Sequence, residues 1–223
     1  MLNPMKWVIA LTAVLAIGST QAMAGVTVLT FEGLKNLESV DNYYNGGLGG
    51  DGSGPGSNYG ISFSSNSLAL ISDTVGGTGN FDASALPSPS TGLFFLSGGA
   101  ATMNVAAGFD TGFSFYYSAI NVAGSIKVYD GLNATGNVLA TLTLPTTPSI
   151  PGGRFQPLVP IGVAFAGTAM SVDFGGSANQ IVFDNITLGT DNPAVPEPSA
   201  LVLGAIGLVS LVGFNRRRRG RAA

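Results

Sequence analysis

Met170-Ser171-Val172-Asp173-Phe174 alternates apolar and polar residues without a break. In an extended chain successive side chains point to opposite faces, so Met170, Val172 and Phe174 share one face and Ser171 and Asp173 the other. This is the pattern of a half-buried strand. Ten more short runs, apolar or alternating, stand between clusters of Gly, Pro, Asn and Asp: residues 26–31, 59–64, 68–72, 93–96, 101–106, 112–117, 125–129, 138–144, 161–165 and 181–188. Asp130 to Asn137 reads as the connecting loop between two of them. Residues 25–190 show no helical period and no unit recurring every 20–50 residues, which argues against a bundle, propeller or solenoid. The expected fold is all-β, an antiparallel β-sandwich with jelly-roll topology over residues 25–190.

Composition narrows the chemistry. The chain has 223 residues, 33 of them Gly, with charged residues at 9% and neither His nor Cys. Without His or Cys there is no Ser-His-Asp triad, Cys-His nucleophile, zinc finger or disulfide. Charge is unevenly spread: residues 25–194 carry three basic residues against eleven acids, a net −8, whereas residues 195–223 carry five Arg against Glu197, a net +4. The acidic domain disfavours nucleic acid as a partner. The mean hydropathy of +0.39 comes largely from the two ends of the chain.

At the N-terminus, Lys6 precedes an apolar run from Trp7 to Ile17, and Ala22-Met23-Ala24 follows. A basic start, an apolar run too short to span a bilayer and a small-x-small site predict a signal helix over residues 1–24, cut by signal peptidase between Ala24 and Gly25. At the C-terminus, residues 191–199 form a Pro-rich linker ending in Val195-Pro196-Glu197-Pro198-Ser199. Residues 200–214 carry no charge and predict a single transmembrane helix. Residues 215–223 follow as a cytoplasmic tail whose Arg216, Arg217, Arg218, Arg219 and Arg221 would hold that end inside.

This tripartite tail resembles the PEP-CTERM sorting signal of Gram-negative bacteria. The resemblance implies export across the inner membrane and recognition by exosortase, a membrane-embedded transpeptidase-like enzyme. It also implies a membrane-anchored form that passes to the envelope, the cell surface or an exopolysaccharide matrix. The domain itself is loosely similar to jelly-roll carbohydrate-binding modules, through Phe31-Glu32-Gly33 on the first strand and Phe183-Asp184-Asn185-Ile186-Thr187 on the last. In such sandwiches the terminal strands lie side by side and their acids share a structural calcium. That likeness makes Glu32 and Asp184, with Asn185 as helper, the candidate calcium ligands; the other reading is that these acids are solvated or cap turns. Calcium takes hard oxygen donors, which an acidic domain offers.

The Gly-rich stretch from Asn45 to Gly60 reads as a long surface loop. Part of it approaches the nonapeptide of calcium β-rolls, but Ser53 stands at the apolar position and no second copy exists. Tyr43 and Tyr44 sit beside this loop and are the candidate sugar-stacking rings, since flat rings grip the apolar faces of sugars; the alternative is that they pack the core. Glu32 and Glu38 are the only Glu residues of the domain, and no nucleophile elbow is present. The expectation is therefore an exported, non-enzymatic protein with a structural or adhesive role at the surface or in an exopolysaccharide matrix. A carbohydrate-binding module is the alternative, and a carboxylate-dependent enzyme acting on glycans the third.

Overall fold

The computed structural model describes residues 26–193. The signal helix, the cleavage site at Ala22, Ala24 and Gly25, the Val195–Ser199 motif, the transmembrane helix and the Arg cluster all lie outside the described residues.

Each of the eleven runs read from the sequence falls on a strand. These are β1 (Thr27–Leu29), β2 (Ile61–Phe63), β3 (Leu68–Ile71), β4 (Thr91–Phe94), β5 (Ala100–Phe109), β6 (Gly112–Ser118), β7 (Gly124–Tyr129), β8 (Val138–Leu144), β9 (Val159–Ala164), β10 (Ala169–Gly175) and β11 (Val182–Leu188). Two short 3-10 turns, Asp73–Val75 and Ala83–Ala85, are the helical elements among the described residues. The strands form two antiparallel sheets. One runs β3-β4-β11-β6-β9, with β1 also on β11; the other runs β2-β5-β10-β7-β8. The last eight strands pair as nested partners: β4 with β11, β5 with β10, β6 with β9 and β7 with β8.

The sheets close on a phenylalanine cluster. Phe113 and Phe115 on β6 and Phe183 on β11 meet Phe174 on β10, with the Phe174 and Phe183 ring centroids 5.1 Å apart at 67°. These edge-to-face contacts add to the roughly 1.5–3 kcal/mol that burying each ring contributes. With no disulfide, this cluster is the main tie between the layers.

Two bulges set the phase of the core strands. On β11, Phe183 faces the core, and so do Ile186 and Leu188, which have the opposite parity. Strict alternation cannot put all three on one face. The register against β6 jumps between Asp184 and Thr187, so Asn185 and Ile186 together oppose Phe115. Asn185 takes φ 47°, a left-handed conformation that Asn tolerates better than most residues. On β10 the register against β5 breaks between Ala169 and Ser171. Val172 and Phe174 stay fully buried, but Met170, expected to share their face, is lifted to a half-buried position at the break.

Candidate functional site

Glu32 and Asp184 do come together, at a seam in the first sheet. β1 lies along the second half of β11, pairing with Ile186 to Leu188, and β4 lies along its first half, pairing at Phe183. Where one neighbour gives way to the other, backbone N–H groups lack ladder partners, and the two carboxylates receive them. Glu32 Oε1 accepts from the Ser90 and Thr91 N–H groups, both at 2.8 Å, while Oε2 accepts from the Ser90 hydroxyl at 2.9 Å. Asp184 is fully buried and accepts from Ser88 N–H at 2.9 Å, Asn185 N–H at 2.7 Å and the Ser88 hydroxyl at 2.8 Å. Burial pushes the Asp184 carboxyl up to about 7; the Ser88 and Asn185 donors pull it down, and the charge of Glu32 adds to the upward push.

This arrangement bears on the calcium expectation. Calcium takes six to eight oxygen ligands. Here the carboxylate oxygens already accept N–H and O–H groups, and among the described residues no three His, Cys, Asp or Glu side chains converge. The two carboxylates and their donors form a hydrogen-bonded seam.

The Gly-rich loop is organised by a residue assigned no such role in the sequence reading. Glu38 is fully buried. Its Oε1 accepts from Asp51 and Ser53 N–H, both at 2.9 Å, and its Oε2 accepts from Lys35 N–H at 2.7 Å. Burial alone would raise its carboxyl, but the Ser53 hydroxyl and the Lys35, Ser53 and Asp51 N–H donors together outweigh this and hold it below the usual carboxylate range. Gly49 packs against this carboxylate, where an added Cβ would sit 2.6 Å from Oε1. The loop is a surface segment hooked onto an internal acid.

The tyrosine pair beside it splits. Tyr44 is core: its ring meets Phe31 edge-on at 5.8 Å and its hydroxyl accepts from Phe31 N–H at 2.6 Å. Burial raises its phenol well above the ordinary value. Tyr43 is half-buried and donates to the Glu32 carbonyl at 3.0 Å. The ring that meets solvent here is Tyr59, 47% exposed and stacked on Tyr44.

The site with room for a ligand lies elsewhere. A cleft of about 440 Å³ lies on the outer face of the first sheet, near where β4 and β6 end and β11 begins, over a second hydrophobic cluster that holds Leu70, Phe81, Phe155 and Val182. Phe81, Phe94 and Phe155 line it, with the amides Asn80, Asn121, Asn179 and Gln180. Leu37 and Leu96, both exposed, stand at its edge. No Asp, Glu, Lys or Arg lines it. Behind the lining, two loops are clamped together. Arg154 forks onto Asp73, with Nη2 at 2.6 Å and Nη1 at 3.1 Å, Asn80 donates to the Gly153 carbonyl at 3.1 Å, and Phe155 N–H donates to the Asn80 carbonyl at 2.9 Å. Opposite, Asn121 Nδ2 and Gln180 Oε1 are 3.5 Å apart, so these two amides are held only loosely and are available to a ligand. Neither Glu32 nor Glu38 reaches this cleft.

Residues 194–219 match the model of the PEP-CTERM protein-sorting motif. The chain carries a PEP-CTERM sorting signal. That signal marks it for export and membrane-associated sorting in Gram-negative bacteria, and implies processing by exosortase. None of the curated proteins matches the chain. Among solved structures, it is similar to the carbohydrate-binding module CBM6cm-2 of Cellvibrio mixtus lichenase 5A, solved with cellotriose. Identity there is 15% over 56% of this chain and 87% of that one, with a TM-score of 0.36. It is also similar to CsCBM6-3 from Clostridium stercorarium, solved with cellobiose, at 14% identity over 58% of this chain and 87% of that one, TM-score 0.37. The K3 cleaved adhesin domain of Lys-gingipain from Porphyromonas gingivalis aligns at 15% identity over 75% of this chain and 92% of that one, TM-score 0.27.

Proposed function

We propose that residues 26–193 of this sorted protein form a non-catalytic glycan-binding module, with the uncharged cleft as its site. The observation that carries this reading is the lining: three phenyl rings, of which Phe155 is the half-buried one and Phe81 and Phe94 are buried, four amides and no ionisable side chain. Rings take the apolar faces of a pyranose, and amides donate to and accept from its hydroxyls. A lining without charge suits neutral sugars, and the net −8 of the domain repels uronate-rich ones. Glycoside hydrolysis needs two carboxylates across the scissile bond, and the lining supplies none. The nested strand pairing reads as a jelly roll, a frame that brings loops from separate strands together. Binding a matrix or surface glycan would serve the structural or adhesive role expected of an exported, envelope-sorted chain. Signal peptidase cleavage before Gly25 and a membrane span over residues 200–214 complete the proposed route.

The test is calorimetric titration of the purified full chain with neutral oligosaccharides and with oligouronates. A few hydrogen bonds at about 0.5–1.5 kcal/mol each plus one stacked ring give a Kd of roughly 10 μM to 1 mM. Asn121→Ala and Gln180→Ala should each weaken binding about 5- to 10-fold while leaving the melting temperature in place. Failure to bind any neutral glycan, or preference for the uronates, refutes the reading. For the tail, intact-mass analysis of membrane and released fractions decides: a product ending near Pro196–Ser199 supports exosortase processing, and a membrane-only species keeping Arg216–Arg221 contradicts it.

A further inference from the structure

The one ring that can offer its face in the cleft is held by side chains that do not line it. From this we infer that Arg154 is a positioning residue of the site, and that through it the affinity for an uncharged sugar depends on ionic strength. The inference rests on the glycan-binding reading of the cleft and adds its control. Of the three rings in the lining, Phe81 and Phe94 are buried and Phe155 is half-buried. A stacked pyranose needs an open ring face, so Phe155 is the ring that takes it.

Phe155 stands between two clipped neighbours. On one side, Arg154 Nη2 lies 2.6 Å from Asp73 Oδ1 and 3.5 Å from Asp82 Oδ1, so both carboxylates share one nitrogen. On the other, Gln156 Nε2 donates to Asp82 Oδ2 at 2.9 Å, and Asp82 N–H donates to Gln156 Oε1 at 2.6 Å. None of Asp73, Asp82, Arg154 and Gln156 lines the cleft. They pin the segment that carries Phe155 to the segment that carries Asn80 and Phe81. Arg154 is the only Arg of residues 26–193. The two Lys residues there are occupied elsewhere: Lys35 donates to the Asp51 carbonyl, and Lys127 lies opposite Asp173 in the second sheet. Without Arg154, Asp73 and Asp82 would face each other with no cation between them. The side chains are 22% exposed at Arg154, 42% at Asp73 and 38% at Asp82, so dissolved ions reach the clip and screen it. A neutral sugar has no charge for salt to act on, and salting-out of a stacked ring would strengthen binding. Binding that weakens with salt therefore reports the clip. A ring in place for only a fraction of the time lowers the apparent affinity by that fraction.

Calorimetric titration of the purified full chain with maltohexaose, cellohexaose and mannohexaose tests this, at about 20 mM and about 500 mM NaCl, between which the screening length falls from well beyond the clip to about its width. For whichever hexasaccharide binds, wild-type affinity should fall about 2- to 4-fold as the salt rises. Arg154→Ala should bind about 10-fold more weakly at low salt and regain about 2-fold at high salt, because salt now screens a repulsion. A general loss of stability does not invert the sign of the salt effect. Arg154→Met/Asp73→Asn, which has no charged pair, sets the baseline and should not weaken with salt, and Arg154→Lys should recover part of the wild-type affinity. Amide hydrogen exchange without sugar is the second measurement. Phe155 N–H donates to the Asn80 carbonyl at 2.9 Å, and its exchange should quicken in Arg154→Ala while β5 and β10 stay protected. Wild-type binding that does not weaken with salt, or Phe155 exchange unchanged in Arg154→Ala, overturns the positioning role and leaves the glycan reading standing. Absence of binding to all three hexasaccharides by wild type overturns the glycan reading and the positioning role with it.

Discussion

Asp184 predicts that this domain loses stability as the pH rises from 5 to 8. The carboxyl is fully buried, and its folded value of about 7 stands above the 3.8 of a free side chain. Between those two values the folded state holds a proton that the unfolded chain has given up, so each pH unit costs stability. At about 1.36 kcal/mol per unit, with the folded group half-titrated near 7, the loss from pH 5 to pH 8 is about 2–3 kcal/mol. The seam can hold the neutral form. Ser88 Oγ lies 3.2 Å from the Thr91 carbonyl and 3.3 Å from the Thr30 carbonyl, so it can accept the Asp184 proton and pass its own to either. Asp184→Asn removes the titration. It also turns an NH2 toward either Ser88 N–H or Asn185 N–H, orphaning one donor at a cost of about 1–3 kcal/mol. The variant should therefore be less stable than wild type at pH 5, flatter with pH, and close to wild type at pH 8. Urea denaturation of both proteins at pH 5, 6, 7 and 8 measures this. Burial also raises the Asp173 carboxyl, which acts with the same sign, so Asp173→Asn is the control that apportions the slope. Wild-type stability that is flat or rising across the window, or an Asp184→Asn slope as steep as wild type, refutes the reasoning.

Three further outcomes follow from the same contacts. Glu38→Gln replaces an oxygen that accepts N–H with a group that donates, so residues 45–57 should come loose at a cost of about 2–4 kcal/mol; limited proteolysis should cut there first, and an unchanged digestion pattern counts against the hook. Excess calcium should leave the melting temperature within about 1 °C, measured against chelator by scanning calorimetry. A native-state site filled at 100 times its Kd would add about 2.7 kcal/mol, or roughly 5–10 °C for a domain of this size, and such a rise would restore the metal. Gly162→Ala should destabilise by about 1–3 kcal/mol, because its added Cβ would run into the Asp191 backbone, and urea denaturation against wild type measures the loss.

The strands were legible because their signals are local. Period two and Gly or Pro punctuation reside within each run, and all eleven runs are strands. What the runs could not show is phase. Ile181 to Leu188 is apolar enough to be buried on both faces, and nothing local says that Phe183 and Ile186 share the core side through a bulge at Asn185. Met170 was misplaced for the same reason: alternation assumes an unbroken pleat, and the break lies between Ala169 and Ser171.

The candidate sites divide along the same line. Glu32 and Asp184 were found because they flank the terminal strands, and terminal strands that lie side by side bring their acids together. Their chemistry was not legible, because a carboxylate that accepts N–H groups and one that binds an ion look alike in a sequence. Adjacent tyrosines misled in a related way: Tyr43 and Tyr44 cannot both face the same side of a turn, and Tyr44 went inward to meet the Phe31 N–H. The cleft was missed altogether. Asn80, Asn121, Asn179 and Gln180 are separated by up to 100 residues and look like ordinary loop amides until the nested pairing sets their loops around one cleft. A binding site made of uncharged residues perturbs no pKa and forms no motif. A single sequence therefore exposes where this chain is sent, through the contiguous PEP-CTERM signal, far more readily than what it holds when it arrives.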